Sequence, residues 1–254
     1  CSSDLDSQEA MRAALAEADV LVVEALRVGR DDLAAAGRLR LLQKFGTGLR
    51  NIDTAACAER GLRVLTLRRR ANISCAEHAF ALMLMLARKL ETVSGLVTMS
   101  RINAAGLAYR PYDRRHTAGG NFARVPGTKA LHGSVMGIIG LGEIGREIAL
   151  RATAFGMRVL YHQRTRAPES VERELKANYV TLEALLEEAD WVVPQLPTAE
   201  STRKVLGRAE FARMKPGACI VNVSNAGVFD REALLEALRG DRLGGVALDV
   251  YDRE

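Results

Sequence analysis

The sequence predicts an α/β protein of parallel sheets with helices packed on their faces. Three observations carry this. Short apolar runs alternate with helix-like stretches along most of the 254 residues, the pattern of βα units. The apolar run Val135–Ile139 leads into glycines at 140, 142 and 145, the spacing G-x-G-x-x-G between a strand and a helix. Turn residues such as Pro194, Pro197 and Pro216-Gly217 keep the joins short.

Along the chain, residues 11–28 read as a helix (MRAALAEA) and then a strand (DVLVVEALRV). Asp31–Ala36 suggests a short helix. Leu39–Phe45 is a strand that runs into the glycine turn Gly46-Thr47-Gly48. Asn51–Arg60 is a helix stopped by Gly61, and Leu62–Leu67 is the next strand. Ser74–Leu90 is a long helix with apolar residues almost all round it from Ala79 to Ala87. It should be buried on more than one side, and it reads as the link between two domains, 1–96 and 97–254. Residues 98–130 carry glycines, arginines and prolines with little periodicity, which fits a long connection or a protruding arm. The alternation then resumes. Strands are expected at 135–139, 157–162, 191–196, 218–223 and 244–250, and helices at 144–154, 181–188, 208–213 and 230–239.

The glycine motif VMGIIGLGEIG has a chemical reason for each glycine. Gly140 permits a tight turn, and Gly142 removes a side chain so that a pyrophosphate can approach the backbone. Gly145 lets helix and strand pack closely. The helix that begins at Glu143 and Ile144 offers free N–H groups and a positive dipole end to the phosphates. A second strand, Met157–His162, follows at the right distance for a dinucleotide site. In the simplest form of this fold an acidic residue ends that strand and binds the adenosine ribose. Here the strand ends in Gln163-Arg164-Thr165-Arg166, with no carboxylate to repel a 2′-phosphate. The two arginines and the Thr165 hydroxyl offer it donors, so NADP(H) is favoured and NAD(H) is the alternative. A solvated basic loop is the competing explanation of the same residues.

Composition narrows the class. A hydrophobic content of 48% with 26% charge describes a globular chain, and no apolar run is long enough to span a bilayer. No signal-peptide pattern is visible. The four cysteines, Cys1, Cys57, Cys75 and Cys219, are scattered, with no metal-site spacing, as in a cytoplasmic protein of free thiols. Net charge is +5, but the basic residues cluster only at Arg68–Arg70 and Arg110–Arg115. With 5% aromatics a nucleic-acid surface is not expected.

Six segments together resemble the D-isomer-specific 2-hydroxyacid dehydrogenases. They are KFGTGLRNID (44–53), CAEHAFALMLMLARKL (75–90), LHGSVMGIIGLGEIGREIA (131–149), FGMRVLYHQR (155–164), MKPGACIVNVSNAGVFDREALLEAL (214–238) and LGGVALDVYDRE (243–254). The resemblance implies two Rossmann-like, doubly wound parallel-sheet domains flanking a cleft, the first for substrate and the second for cofactor. It also implies a homodimer held through the cofactor domain and its arm. The implied activity is hydride transfer between a nicotinamide cofactor and a small anionic 2-keto or 2-hydroxy acid.

The family's residues carry over unevenly. The turn that holds the substrate carboxylate matches at Gly46, Thr47 and Gly48. The residue that contacts the nicotinamide amide matches at Asp249, and the glutamate that tunes a catalytic histidine matches at Glu254. Pro197 falls with the cofactor-binding loops. That histidine would lie beyond Glu254; none of His78, His116, His132 or His162 occupies its place, and His78 reads as a structural residue.

Asn225 stands where the family carries the arginine that clamps the substrate. Asparagine can donate one hydrogen bond but brings neither charge nor a bidentate fork. Either the site is weakened, or another cation substitutes, for which Arg69 or Arg70 is placed to face the cleft; a solvated basic turn is the plain alternative. A different class of function also follows from Asn225: a non-catalytic NAD(P)-binding protein that acts through a protein partner.

Overall fold

The computed structural model describes residues 7–95, 98–106 and 125–251. The chain divides into two compact units, Cys1–Asn72 and Ile73–Glu254, a helix earlier than the expected boundary at residue 96. Packing gives the reason. Ala76, Ala79, Phe80, Met83 and Ala87 of the helix Ala71–Arg88 are buried in one core with Met136, Ile148, Val159 and Trp191 of the second unit. The helix is part of that unit's core, not a free link.

The first unit holds a three-stranded parallel sheet, β1 (Val20–Val23), β2 (Leu41–Phe45) and β3 (Arg63–Leu67), in that order. Leu21, Val23 and Leu42 enter a core with Met11, Leu15, Leu33, Ala56 and Cys57 from the helices Gln8–Leu15, Arg30–Ala35 and Thr54–Glu59. Val20, Val22, Leu65 and Leu67, on the opposite side of the strands, are exposed.

The second unit has six parallel strands: β4 (Val135–Ile139), β5 (Arg158–His162), β6 (Ala177–Tyr179), β7 (Trp191–Pro194), β8 (Ala218–Asn222) and β9 (Leu243–Leu248). They lie in the order β6-β5-β4-β7-β8-β9, so the chain winds outward from β4 in one direction and then in the other. Helices cover both faces. Met136, Ile138, Trp191, Val193 and Val221 point to the face covered by Ala71–Arg88, Glu143–Ala154 and Glu169–Leu175. Their neighbours Ile139, Val192 and Ile220 point to the face covered by Leu182–Glu188, Arg208–Arg213 and Arg231–Arg239. Burying each such side chain contributes roughly 1.5–3 kcal/mol, which is why these strands are apolar at consecutive positions rather than alternate ones.

The expected elements are present to within a few residues at each end, except that the strand expected across DVLVVEALRV stops at Val23. Among the elements not anticipated are the helix Glu169–Leu175 and the short edge strand β6. Within the segment read as an arm, residues 99–104 form a helix. Residues 107–124, with the Arg110–Arg115 cluster and His116, lie outside the described residues.

The unanticipated helix carries a polar knot at the end of β5. The buried carboxylate of Glu172 accepts from the Tyr161 hydroxyl at 2.6 Å and from Arg166 Nε and an Nη at 2.9 and 2.8 Å. Tyr161 Oη accepts in turn from the Ala167 N–H at 2.9 Å. Arg166, then Tyr161, hold the Glu172 carboxyl down to about 2, while burial and then Glu172 push the Tyr161 phenol up to about 12. A carboxyl depressed in the folded state stabilises it fully above its unfolded value, about 4.3. That stabilisation is lost as pH falls through the folded value. Melting temperatures between pH 5 and pH 2 should therefore fall more steeply for the wild type than for Glu172→Gln. Equal slopes would contradict the role given to this carboxylate.

Candidate functional site

The glycine loop stands where three strands end. The Gly140 N–H donates to the His162 carbonyl at the end of β5 at 2.8 Å, and the Gln195 N–H donates to the Ile139 carbonyl, also at 2.8 Å. Gly140 has φ +103°, and a Cβ there would lie 2.4 Å from the Gln195 carbonyl oxygen. A Cβ on Gly145 would lie 2.3 Å from the Gly140 carbonyl oxygen, so the helix Glu143–Ala154 can approach the loop only with glycine at that position. At Gly142 the opposite holds: a Cβ would meet nothing within 4 Å. No side chain caps the first turn of this 12-residue helix, whose N-cap is Gly142. Open space above Gly142 and an uncapped helix start form a cradle for a phosphate group. It lies between β4 and β7, the point at which the strand order reverses and where such sheets hold nucleotides.

The loop after β5 is more committed than its sequence suggests. Gln163 Oε1 accepts from the Leu141 N–H at 3.0 Å, and its Nε2 donates to the Thr165 carbonyl at 2.7 Å. Gln163 thus braces the glycine loop and spends both ends of its amide doing so. Arg166 binds Glu172 through Nε and one Nη, and its side chain is otherwise exposed. Arg164 and Thr165 are exposed, and Arg164 makes no ion pair with any described residue.

At the carboxyl end of β8, Asn225 caps a short turn. Its Oδ1 accepts from the Gly227 N–H at 3.0 Å, while its carbonyl accepts from the buried Asn222 amide at 2.9 Å. The Ser224 hydroxyl reaches the Pro194 carbonyl at the end of β7 at 3.0 Å. One step along the sheet, after β9, the Asp249 N–H donates to the Asn222 carbonyl at 3.0 Å. Its carboxylate lies 3.1 Å from His78 Nε2. His78 was expected to be structural and buried. It is half exposed and touches the residue aligned with nicotinamide binding, a partnership that spacing along the sequence did not reveal. Pro197 is exposed in the loop after β7, while Glu143 and Ile144 open the helix as expected. Glu254 lies outside the described residues.

In the first unit, the carboxyl ends of the three strands bring together Glu24, the Gly46–Gly48 turn and Arg68–Arg70. The Gly46 N–H is taken by the Leu67 carbonyl at 2.8 Å, whereas the Gly48 N–H meets no described acceptor. Arg69 is half buried, with one Nη 2.5 Å from Glu24 and a buried Nε that has no partner among the described residues. Arg70 is exposed.

Comparison with known proteins then decides the family. Residues 80–254 match the model of the D-isomer specific 2-hydroxyacid dehydrogenase, NAD binding domain. The chain belongs to this family. It is 35% identical over 224 residues to a glyoxylate reductase of Thermococcus gammatolerans, covering 86% of this chain and 62% of that protein. It is 34% identical over 254 residues to a hydroxypyruvate reductase of Thermotoga maritima, covering 100% of this chain and 75% of that one. The chain thus spans somewhat under two thirds of the first relative's length. Among solved structures it is similar to the PH0520 protein from Pyrococcus horikoshii OT3, with a TM-score of 0.69, 27% identity and 98% of this chain and 70% of the other covered. A glyoxylate reductase from Paecilomyes thermophila gives 0.65 and 28%, over 97% of this chain and 71% of that one. The NAD-binding model covers the six-stranded unit, and a nicotinamide dinucleotide fits the cradle at residues 140–145.

Two glycine substitutions separate packing from binding. Gly142→Ala should fold with an unchanged melting temperature yet weaken NADPH binding at least about tenfold, because its methyl group enters open space where a pyrophosphate would lie. Gly145→Ala should lower the melting temperature as well as the affinity. Thermal melts and NADPH fluorescence titrations check both; full affinity in Gly142→Ala would contradict the cradle.

Proposed function

We propose that this chain forms the greater part of an oxidoreductase that uses NADP(H) and a small anionic 2-keto acid. The observation that carries the reading is the dinucleotide cradle at the switch point of the second sheet. A bound nicotinamide cofactor would supply a hydride to the keto carbon, with a proton added to that carbonyl's oxygen. The chain's own residues bind and orient. The loop at 140–145 holds the pyrophosphate, with Gln163 keeping it in register. Asp249, aligned by His78, is placed for the nicotinamide amide, and Pro197 flanks the cofactor.

NADP(H) is preferred over NAD(H) in this reading because no carboxylate ends β5 and the Arg164 guanidinium and Thr165 hydroxyl remain exposed. Gln163 contributes by lacking a negative charge rather than by contacting a phosphate. For the substrate carboxylate, the Gly48 N–H and Arg69 are the donors, with Arg70 beside them; the unpartnered Nε of Arg69 supports this. Asn225, already committed to its own turn through Oδ1, offers at most one amide N–H to the carbonyl oxygen. A family arginine would bring charge and a fork there, and losing one such donor commonly costs about 2.7–4 kcal/mol in the transition state.

The same residue favours one alternative, a cofactor-binding protein without turnover that acts through a partner. Hydride-transfer assays on the full-length protein decide between the two. NADPH and NADH are supplied with a panel of 2-keto acids, including glyoxylate and hydroxypyruvate, for the wild type and Asn225→Arg. Turnover that prefers NADPH and rises by about tenfold or more in Asn225→Arg is the expected result. NADPH binding without turnover in either protein would support the non-catalytic reading, and preference for NADH would overturn the cofactor assignment.

A further inference from the structure

Gln195 is the first residue after β7, and it faces the glycine loop from the other side of the switch point. Its backbone is anchored there: the N–H donates to the Ile139 carbonyl, and its own carbonyl lies close against Gly140. Its side chain is not. Both Oε1 and Nε2 are buried from solvent, and neither has a hydrogen-bond partner among the described residues. Nearby side-chain amides are satisfied: Asn222 through Ser224 and Asn225, and Gln163 through Leu141 and Thr165. Buried polar groups in folded proteins are almost always paired, so an amide orphaned at both atoms marks a place where something else completes the bonding.

The chemistry of that partner is constrained. A phosphate accepts but does not donate, so it would satisfy Nε2 and repel Oε1. A purely apolar group would satisfy neither. A ribose diol meets both, since each hydroxyl can donate and accept. In a dinucleotide a ribose lies directly beside the pyrophosphate, and Gly140, which Gln195 touches, belongs to the pyrophosphate loop. We infer that the Gln195 side chain binds the vicinal diol of the nicotinamide ribose, because the 2′-phosphate of NADP(H) leaves the adenosine ribose without a free diol. The inference rests on the dinucleotide reading given above. It adds a binding residue that neither the glycine motif nor the β5 loop supplies.

An amide retained for a ligand burdens the protein without it. Gln195→Met keeps nearly the same volume and removes both orphaned atoms. The account therefore expects opposite effects on two measurements. The melting temperature of cofactor-free protein rises by about 3 °C, as loss of unsatisfied buried polar atoms stabilises the fold. The NADPH dissociation constant, from fluorescence titration of the full-length protein, rises about tenfold. Parallel titrations with 2′,5′-ADP and with reduced nicotinamide mononucleotide check which ribose is held: only the nicotinamide fragment should lose affinity, and a loss confined to 2′,5′-ADP overturns the assignment. A Gln195→Met protein that melts at or below the wild-type temperature and binds NADPH equally well overturns the assignment and makes Gln195 a packing residue. A wild type that binds no NADPH overturns the dinucleotide reading, and this assignment with it.

Discussion

Gly140 sits at the meeting of three strand ends with no room for a methyl group on any of its contacts. The His162 carbonyl holds its N–H, the Gln195 carbonyl presses on its α-carbon, and its own carbonyl is covered by Gly145 of the following helix. This close approach fixes the helix Glu143–Ala154 against the sheet and aims its uncapped first turn into the crevice between β4 and β7. The reversal of strand order opens that crevice, and the glycines keep it clear. Position and emptiness are thus produced by the same few atoms.

Around this centre, polar side chains divide into those that build the site and those left to bind. Gln163 and Arg166 build it: one braces the glycine loop, and the other pairs with the buried carboxylate of Glu172. Asn225 and Ser224 likewise shape the turn after β8. The residues proposed for ligands are a smaller set: the exposed Arg164 and Thr165, the Asp249–His78 pair, and the orphaned amide of Gln195. In the first unit the same sorting leaves the Gly48 N–H and the unpaired side of Arg69. A basic or amide residue near a site is therefore a poor indicator of contact until its internal partners are known.

The fold was legible wherever burial demanded apolar runs. Val135–Ile139 and Arg208–Arg213 have the bounds that their patterns predict. The helix Glu169–Leu175 escaped because its sequence is mostly charged, with few apolar side chains to mark a period; β6 is three residues long, too short for alternation. That omission propagated to the site. Without the helix there was no Glu172 to claim Arg166, so Arg166 looked free. The glycine motif was legible because each glycine answers a steric demand that local sequence expresses. Gln195 was not, since its importance comes from what fails to contact it across the sheet. His78 and Asp249 are separated by most of the chain, and only the fold brings them together. The domain boundary shifted for a related reason: Ala76, Ala79, Phe80, Met83 and Ala87 of the helix Ala71–Arg88 pack into the second unit's core, and that packing sets where the unit begins.

The most direct test of the cofactor crevice is a crystal structure of the full-length protein grown with NADPH. The pyrophosphate is expected on the backbone N–H groups at the start of the helix Glu143–Ala154, above Gly142, with the 2′-phosphate beside Arg164. A dinucleotide bound elsewhere, or a pyrophosphate that makes no contact with residues 140–145, would contradict the account.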